Sequence, residues 1–402
     1  MRLLQKKSFF LLGLIWMSQP LAAAVPVLQQ LQIPQCLAKK LSSAYGVLAE
    51  SPGFKIIEVP VGEISKISRL ADQLRCGRFV NISQQLMNPS MTLRRQAAIR
   101  LLQQSSAQPV CISTGHYTIK HSKQVRAALR AIDADNIWLT VSSMATFTNR
   151  AAQLKSGVST AIWLKEIFEH LAQVYGRDDT DTFYVKTGRP YIQNSVVTVI
   201  GKNIPAPAIV IGAHMDTLGD DDRDRMPGAD DDASGSATAM EVARVLLASK
   251  TQLKRPVYII WYAAEEQGLV GSQQVVRYFL QQKIPVYAVL QLDMTGFRNN
   301  EFDKTIWIFR DYTDKPLSDF MVKLIRIYIK VPVANTQCNY GCSDHASWNK
   351  AKIPVAFPGE TSFEQHNADI HTSLDTVNSL SLEHMTNFTK LALAFVIELA
   401  AA

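Results

Sequence analysis

A chain of 402 residues, 47% apolar and 19% charged, has the composition of an ordinary globular protein with room for two domains. Its body contains no apolar run of the roughly 18 residues that crossing a bilayer requires, which excludes a membrane span in the mature chain. The net charge of +7 is unevenly shared: residues 25–120 carry eleven Lys and Arg against four Asp and Glu, and residues 121–402 net −3. The basic part is therefore expected to dock on its own acidic partner domain, and no nucleic acid is expected.

In chain order, Arg2, Lys6 and Lys7 precede an apolar stretch at 8–17 and the small residues Ala22, Ala23 and Ala24. This pattern predicts a secretory signal peptide over 1–24 and an exported product, with the periplasm or the exterior as its destination. Residues 25–120 form a small basic α/β unit, with a strand at 55–59 and helices at 64–74 and 93–104. No cluster of site chemistry stands out in it, and His116 is solitary. Residues 121–143 are a connector with one helix, and 133–136 is turn-rich. From 144 to 402 strands alternate with helices. Strands are expected at 195–200, 208–212, 257–263, 286–292, 305–309 and 353–357. Helices are expected at 159–175, 234–247, 270–282, 314–329 and 386–400. This is an α/β pattern: a mixed, mostly parallel sheet with helices on both faces, preceded by the small α/β unit.

Three of the apolar runs end in His214, in Glu265 and Glu266, and in Asp293. Runs rich in β-branched and aromatic residues read as strands buried on both faces, and ligands of open parallel sheets sit beyond the carboxyl ends of such strands. The acidic loop Asp230, Asp231, Asp232, flanked by Gly228 and Gly235, falls between the first two. His371 lies in a later loop. His214, Asp231, Glu266, Asp293 and His371 are too many ligands for one tetrahedral zinc, but they suit two zinc ions sharing one carboxylate. Two such ions can hold a hydroxide between them, and an adjacent free glutamate can move its proton. Asp216 is placed to accept from the second nitrogen of His214. The run Asp220, Asp221, Asp222, Arg223, Asp224 lacks the spacing of a calcium loop and reads as solvated surface. Ser234 is a candidate cap for the following helix. Of five cysteines, Cys338 and Cys342 are close enough for a local disulfide; the pairing of Cys36, Cys76 and Cys111 is open.

Gly212–Asp216, Pro227–Gly235, Tyr262–Glu266, Leu292–Met294 and Ile370–Thr372, in this order, resemble the secreted bacterial leucyl aminopeptidase family of dizinc exopeptidases. The likeness runs from about Met144 to the C-terminus and includes Tyr312–Asp314 and Cys342–Trp348. It implies a zinc-exopeptidase α/β fold and two zinc ions bridged by Asp231. His214 and Asp293 would complete one ion, and Glu266 and His371 the other. It further implies Glu265 as general base and acid, Asp216 as orienter of His214, and Tyr340 as an oxyanion donor. A Cys338–Cys342 disulfide and a cis Asp231–Asp232 peptide also follow from it. The substrates would be peptide and protein N-termini, met by a monomer whose pocket walls include Met294, Phe309, Phe363 and Ile370. Residues 25–120 would be a propeptide covering the site. Gly359 and His366 stand where the family has larger aromatics. A wider pocket is therefore expected, with Glu360 or Glu364 able to admit a basic side chain. A single-zinc glutaminyl cyclase and a metal-free binding module are the rival readings.

Overall fold

The computed structural model describes residues 27–41, 43, 45–75, 77–105, 115–249 and 251–402. The signal-peptide segment, Cys76 and Cys111 lie outside the described residues. Strands β1 (Leu28–Pro34), β2 (Gly46–Glu50) and β3 (Phe54–Pro60) form an antiparallel sheet with the short β4 (Val80–Asn81), in the order β2-β3-β1-β4. Helices α1 (Gln35–Ala38), α2 (Ile64–Leu74) and α3 (Met91–Ser105) accompany this sheet. Ile64, Ile67 and Ala71 recur at helical spacing on α2 and bury themselves with Leu31, Ile33 and Ile57 of the sheet. The N-terminal unit thus has a small core of its own.

The connector holds two helices where one was expected: α4 (Ser122–Leu129) and α5 (Ala134–Met144). The turn-rich 133–136 segment is the start of α5, because the Asp133 carboxylate accepts from the Asp135 N–H at 3.0 Å. Helix α6 (Lys155–Val174) leads into β5 (Thr180–Val185), β6 (Ser195–Ile200) and β7 (Ala208–His214). The turn Ala229–Ser234 is followed by α7 (Gly235–Ala248), β8 (Val257–Tyr262), α8 (Val270–Gln281) and β9 (Val286–Gln291). Then come β10 (Ile306–Phe309), α9 (Lys315–Leu324), β11 (Val333–Thr336) and α10 (His345–Lys350). Two-residue strands β12 (Val355–Ala356) and β13 (Pro358–Gly359) precede the last helix, α11 (Leu382–Ala400).

The central sheet has the order β12-β9-β7-β8-β6-β5. Its first four strands are parallel, and β6 and β5 run antiparallel at one edge. All seven residues of β7 are buried, as expected of a strand with helices over both faces. Helix α11 is buried on nearly every side and packs on α7 and α4. One acid on it is put to structural use. Glu398 Oε2 accepts from the backbone N–H groups of Lys120 (2.6 Å) and His121 (2.9 Å) and so pins the connector to the core. A second small sheet, β11-β10-β13, stands beside the central one. No helix among the described residues is long and apolar enough to cross a membrane.

Candidate active site

Strand β7 ends at His214, β8 leads into Glu265 and Glu266, and β9 leads into Asp293. Three adjacent parallel strands therefore deliver polar side chains to one edge of the sheet. Asp231 comes from the turn between β7 and α7. Gly228 opens that turn at φ 51°, and a Cβ there would lie 2.4 Å from the Asp231 carbonyl oxygen. The Asp231–Asp232 peptide is cis. The Asp232 carboxylate ties the turn to its neighbours, accepting from the N–H groups of His214 (3.1 Å), Gly235 (2.8 Å) and Met294 (3.1 Å). Asp232 thus takes the capping role expected of Ser234, whose hydroxyl donates instead to the Asp230 carbonyl at 2.8 Å. Asp375 accepts from the N–H groups of Asp230 (2.9 Å) and Asp231 (3.1 Å). The buried Arg150 donates to the carbonyls of Met215 and Gly228, each at 2.8 Å, and of Pro227. A loop of buried carboxylates is in this way fixed by backbone donors and one guanidinium.

The two oxygens of Asp231 face different imidazoles. Oδ1 lies 2.8 Å from His214 Nε2, and Oδ2 lies 2.9 Å from His371 Nε2. Asp293 Oδ1 is 3.6 Å from His214 Nε2, and Glu266 Oε2 is 3.1 Å from His371 Nε2. Two ligand groups result, His214 with Asp231 and Asp293, and Asp231 with Glu266 and His371, all of them buried. Burial pushes the Asp231 carboxyl up, but the two imidazoles overcome this and hold it well below the usual range. Both imidazoles sit well above the usual histidine range. Burial is the largest single influence and opposes this, but Asp293, Asp216 and Asp231 together outweigh it at His214, and Glu266, Asp72 and Asp231 together outweigh it at His371. His371 Nε2 has no well-aligned hydrogen-bond partner despite the two carboxylate oxygens near it, and neither has Glu266 Oε1. Acceptors converging on an orphaned nitrogen fit a cation between them.

Glu265 belongs to neither ligand group, yet it lines the same cleft. Burial pushes its carboxyl well above the usual range, offset only in part by His214 and Arg78. Asp216 lies 3.7 Å from His214 Nδ1 through Oδ1, while its own carbonyl oxygen lies 3.1 Å from that nitrogen. Its carboxylate accepts instead from the N–H groups of Glu265 (3.0 Å) and Glu266 (3.2 Å). Asp216 thus grips both glutamates as well as the histidine.

The cleft is walled by Met294, Phe309, Tyr340, Phe363 and Ile370, as well as by Phe357. Cys338 and Cys342 form a disulfide beside Tyr340. The expected widening at Gly359 does not occur. A Cβ at Gly359 would lie 2.4 Å from Phe309 Cε2, so the Phe309 ring already fills the place of the missing side chain. That ring also stacks on Phe357 at 4.5 Å, and His366 stacks on Phe363 at 5.7 Å. Glu360 lines the cleft but is 5% exposed, and it accepts from the Phe297 N–H at 2.6 Å. Glu364 is exposed and does not line the cleft.

The N-terminal unit also reaches the site, contrary to the expectation that it carries no site chemistry. Arg78 Nη2 lies 2.7 Å from Glu266 Oε2, and Nη1 lies 3.8 Å from Glu265 Oε2. Asp72 Oδ2 accepts from His371 Nδ1 at 2.6 Å. Farther out, Arg69 pairs with Asp224 (3.1 Å) and Asp220 (3.4 Å). The acidic 220–224 run is thus part of a contact between the two units and not only solvated surface.

Comparison with known proteins finds relatives over most of the chain. The profile of peptidase family M28 matches residues 194–396. Leucine aminopeptidase 1 of Penicillium rubens is 32% identical over 302 residues, covering 71% of this chain and 77% of its own. The crystal structure of the LapA aminopeptidase of Legionella pneumophila is 56% identical, with a TM-score of 0.88, covering 94% of this chain and 100% of its own. LapB of the same organism is 43% identical, with a TM-score of 0.85, covering 93% and 99%. Matches this broad extend beyond residues 144–402 and take in the N-terminal unit.

Proposed function

Since the chain belongs to peptidase family M28 and is a metallo-aminopeptidase, we propose that it removes apolar residues from peptide N-termini with two zinc ions held around Asp231. Asp231 is read as the shared ligand, His214 and Asp293 as the partners of one ion, and Glu266 and His371 as those of the other. The observation that carries this reading is the division of the Asp231 oxygens between two imidazoles, at 2.8 and 2.9 Å. When bound, the ions supply Lewis acidity at the scissile carbonyl and activation of the attacking water. Glu265 takes the proton from that water and returns it to the leaving amine. Asp216 holds Glu265 in place through its backbone N–H, and the Tyr340 hydroxyl donates to the developing oxyanion. The apolar walls receive the first side chain. Export after removal of 1–24 is part of the same reading, as is a propeptide role for 25–120.

A chelator is expected to abolish hydrolysis of leucine p-nitroanilide, and zinc to restore it, with two ions per chain in the active form. One ion per chain at full activity would remove the dizinc reading. Lysine p-nitroanilide is expected to be cleaved with kcat/KM lower than that of the leucine substrate by roughly tenfold or more. A charged side chain in this pocket loses its water and finds at Glu360 a carboxyl that accepts from Phe297 through one oxygen and that burial and Asp230 push well above the usual range, so it offers little counter-charge. Equal turnover of the two substrates would reject this preference.

A further inference from the structure

The two imidazoles of the site obtain their outer hydrogen bonds from different parts of the chain. His214 ends strand β7, and its Nδ1 is served from two residues away, by the Asp216 carbonyl at 3.1 Å. His371 lies in a loop outside the named strands and helices, with a left-handed backbone at φ 61°. Its Nδ1 donates to Asp72 Oδ2 at 2.6 Å, across 299 residues of sequence and from the other structural unit. Asp72 sits in the last turn of α2, where Arg75 closes the helix by donating to the Asp72 carbonyl at 3.0 Å.

Building on the dizinc reading, we propose that Asp72 is a positioning residue for the Asp231–Glu266–His371 half-site, so that this half-site is completed by the N-terminal unit. A ligating imidazole needs its other nitrogen to carry the proton, and a carboxylate on that nitrogen fixes both the tautomer and the ring orientation. The contact to Asp72 keeps the proton on Nδ1 and turns the Nε2 lone pair toward Asp231 and Glu266. The His214 half-site needs no such help, because its outer partners come from its own strand end and loop. Arg78, six residues further on, reaches the same half-site with the opposite charge. Its guanidinium lies on Glu266 Oε2 and is braced by the Ser68 hydroxyl. The N-terminal unit therefore orients one ligand of this half-site and covers another.

The test is stepwise metal binding by the full chain, using cobalt for its d–d absorption and zinc in competition with a chelator. The wild-type chain is expected to bind two ions. Asp72→Ala is expected to hold one ion as tightly as the wild type and the second about 10- to 100-fold more weakly, with a changed cobalt spectrum for that ion alone. Asp72→Asn keeps an acceptor without the charge and is expected to fall between, which also preserves the test if the alanine variant folds poorly. Arg78→Ala is expected to bind the second ion no more weakly than the wild type. If Asp72→Ala binds both ions like the wild type, or if Arg78→Ala weakens the second ion equally, Asp72 has no such role. A wild-type chain that binds fewer than two ions fails earlier, and overturns the dizinc reading along with this one.

Discussion

Glu265→Gln is expected to lower kcat for leucine p-nitroanilide by ~10²–10⁴-fold while leaving both ions bound and KM nearly unchanged. The amide has the shape of the carboxylate, so the hydrogen bond from the Glu265 N–H to Asp216 and the cleft wall it forms are kept. It cannot accept a proton from water and return it to an amine. Glu265 lies outside both ligand groups, so metal content should be indifferent to the change. Glu266→Gln, one residue on, should instead lose metal, because Glu266 Oε2 stands 3.1 Å from His371 Nε2. Activity and metal content measured together on the two variants separate the roles. If Glu265→Gln loses an ion along with its activity, the assignment of the two glutamates is reversed.

Much of this site is legible in the sequence. His214, Glu266 and Asp293 follow strands whose continuous apolar runs announce burial on both faces. The glycines around Asp230–Asp232 signal a chain that turns too tightly for side chains. Such features are local, and local features survive in sequence. Asp72 and Arg78 are different. On and beside α2 they look like ordinary charged residues of an amphipathic helix end, and their partners are 299 and 188 residues away. Pairing over such distances leaves no mark in spacing or period. The Phe309–Gly359 exchange is hidden for the same reason. One strand loses a side chain, a neighbouring strand fills the gap, and only the register Trp307 opposite Gly359 reveals it. The second connector helix was obscured by a cap: Asp133 favours turns and helix starts alike, and its bond to Asp135 decides for the helix.

Removal of the N-terminal unit by cleavage in the connector is expected to raise kcat/KM by about 10²-fold. Charge-assisted hydrogen bonds contribute roughly 1.5–3 kcal/mol each. Arg78 to Glu266 and Asp72 to His371 are two of them, and even at the lower end of that range, about 3 kcal/mol together, they keep the docked arrangement dominant by about that factor. In that arrangement a guanidinium faces the two glutamates that a substrate's ammonium end would approach, so an incoming N-terminus meets like charge at the cleft. Arg78→Ala should reproduce part of the gain without cleavage, since it opens Glu265 and Glu266 while leaving Asp72 in place. Cleavage, by contrast, also removes Asp72, and the gain should then carry a signature: the cleaved enzyme should need more free zinc to reach full activity than Arg78→Ala does. Activity measured against free zinc for the two forms separates uncovering the site from weakening it. If cleavage leaves kcat/KM unchanged at saturating zinc, the N-terminal unit does not restrain the enzyme, and its contacts with Glu266 and His371 serve only to complete the site.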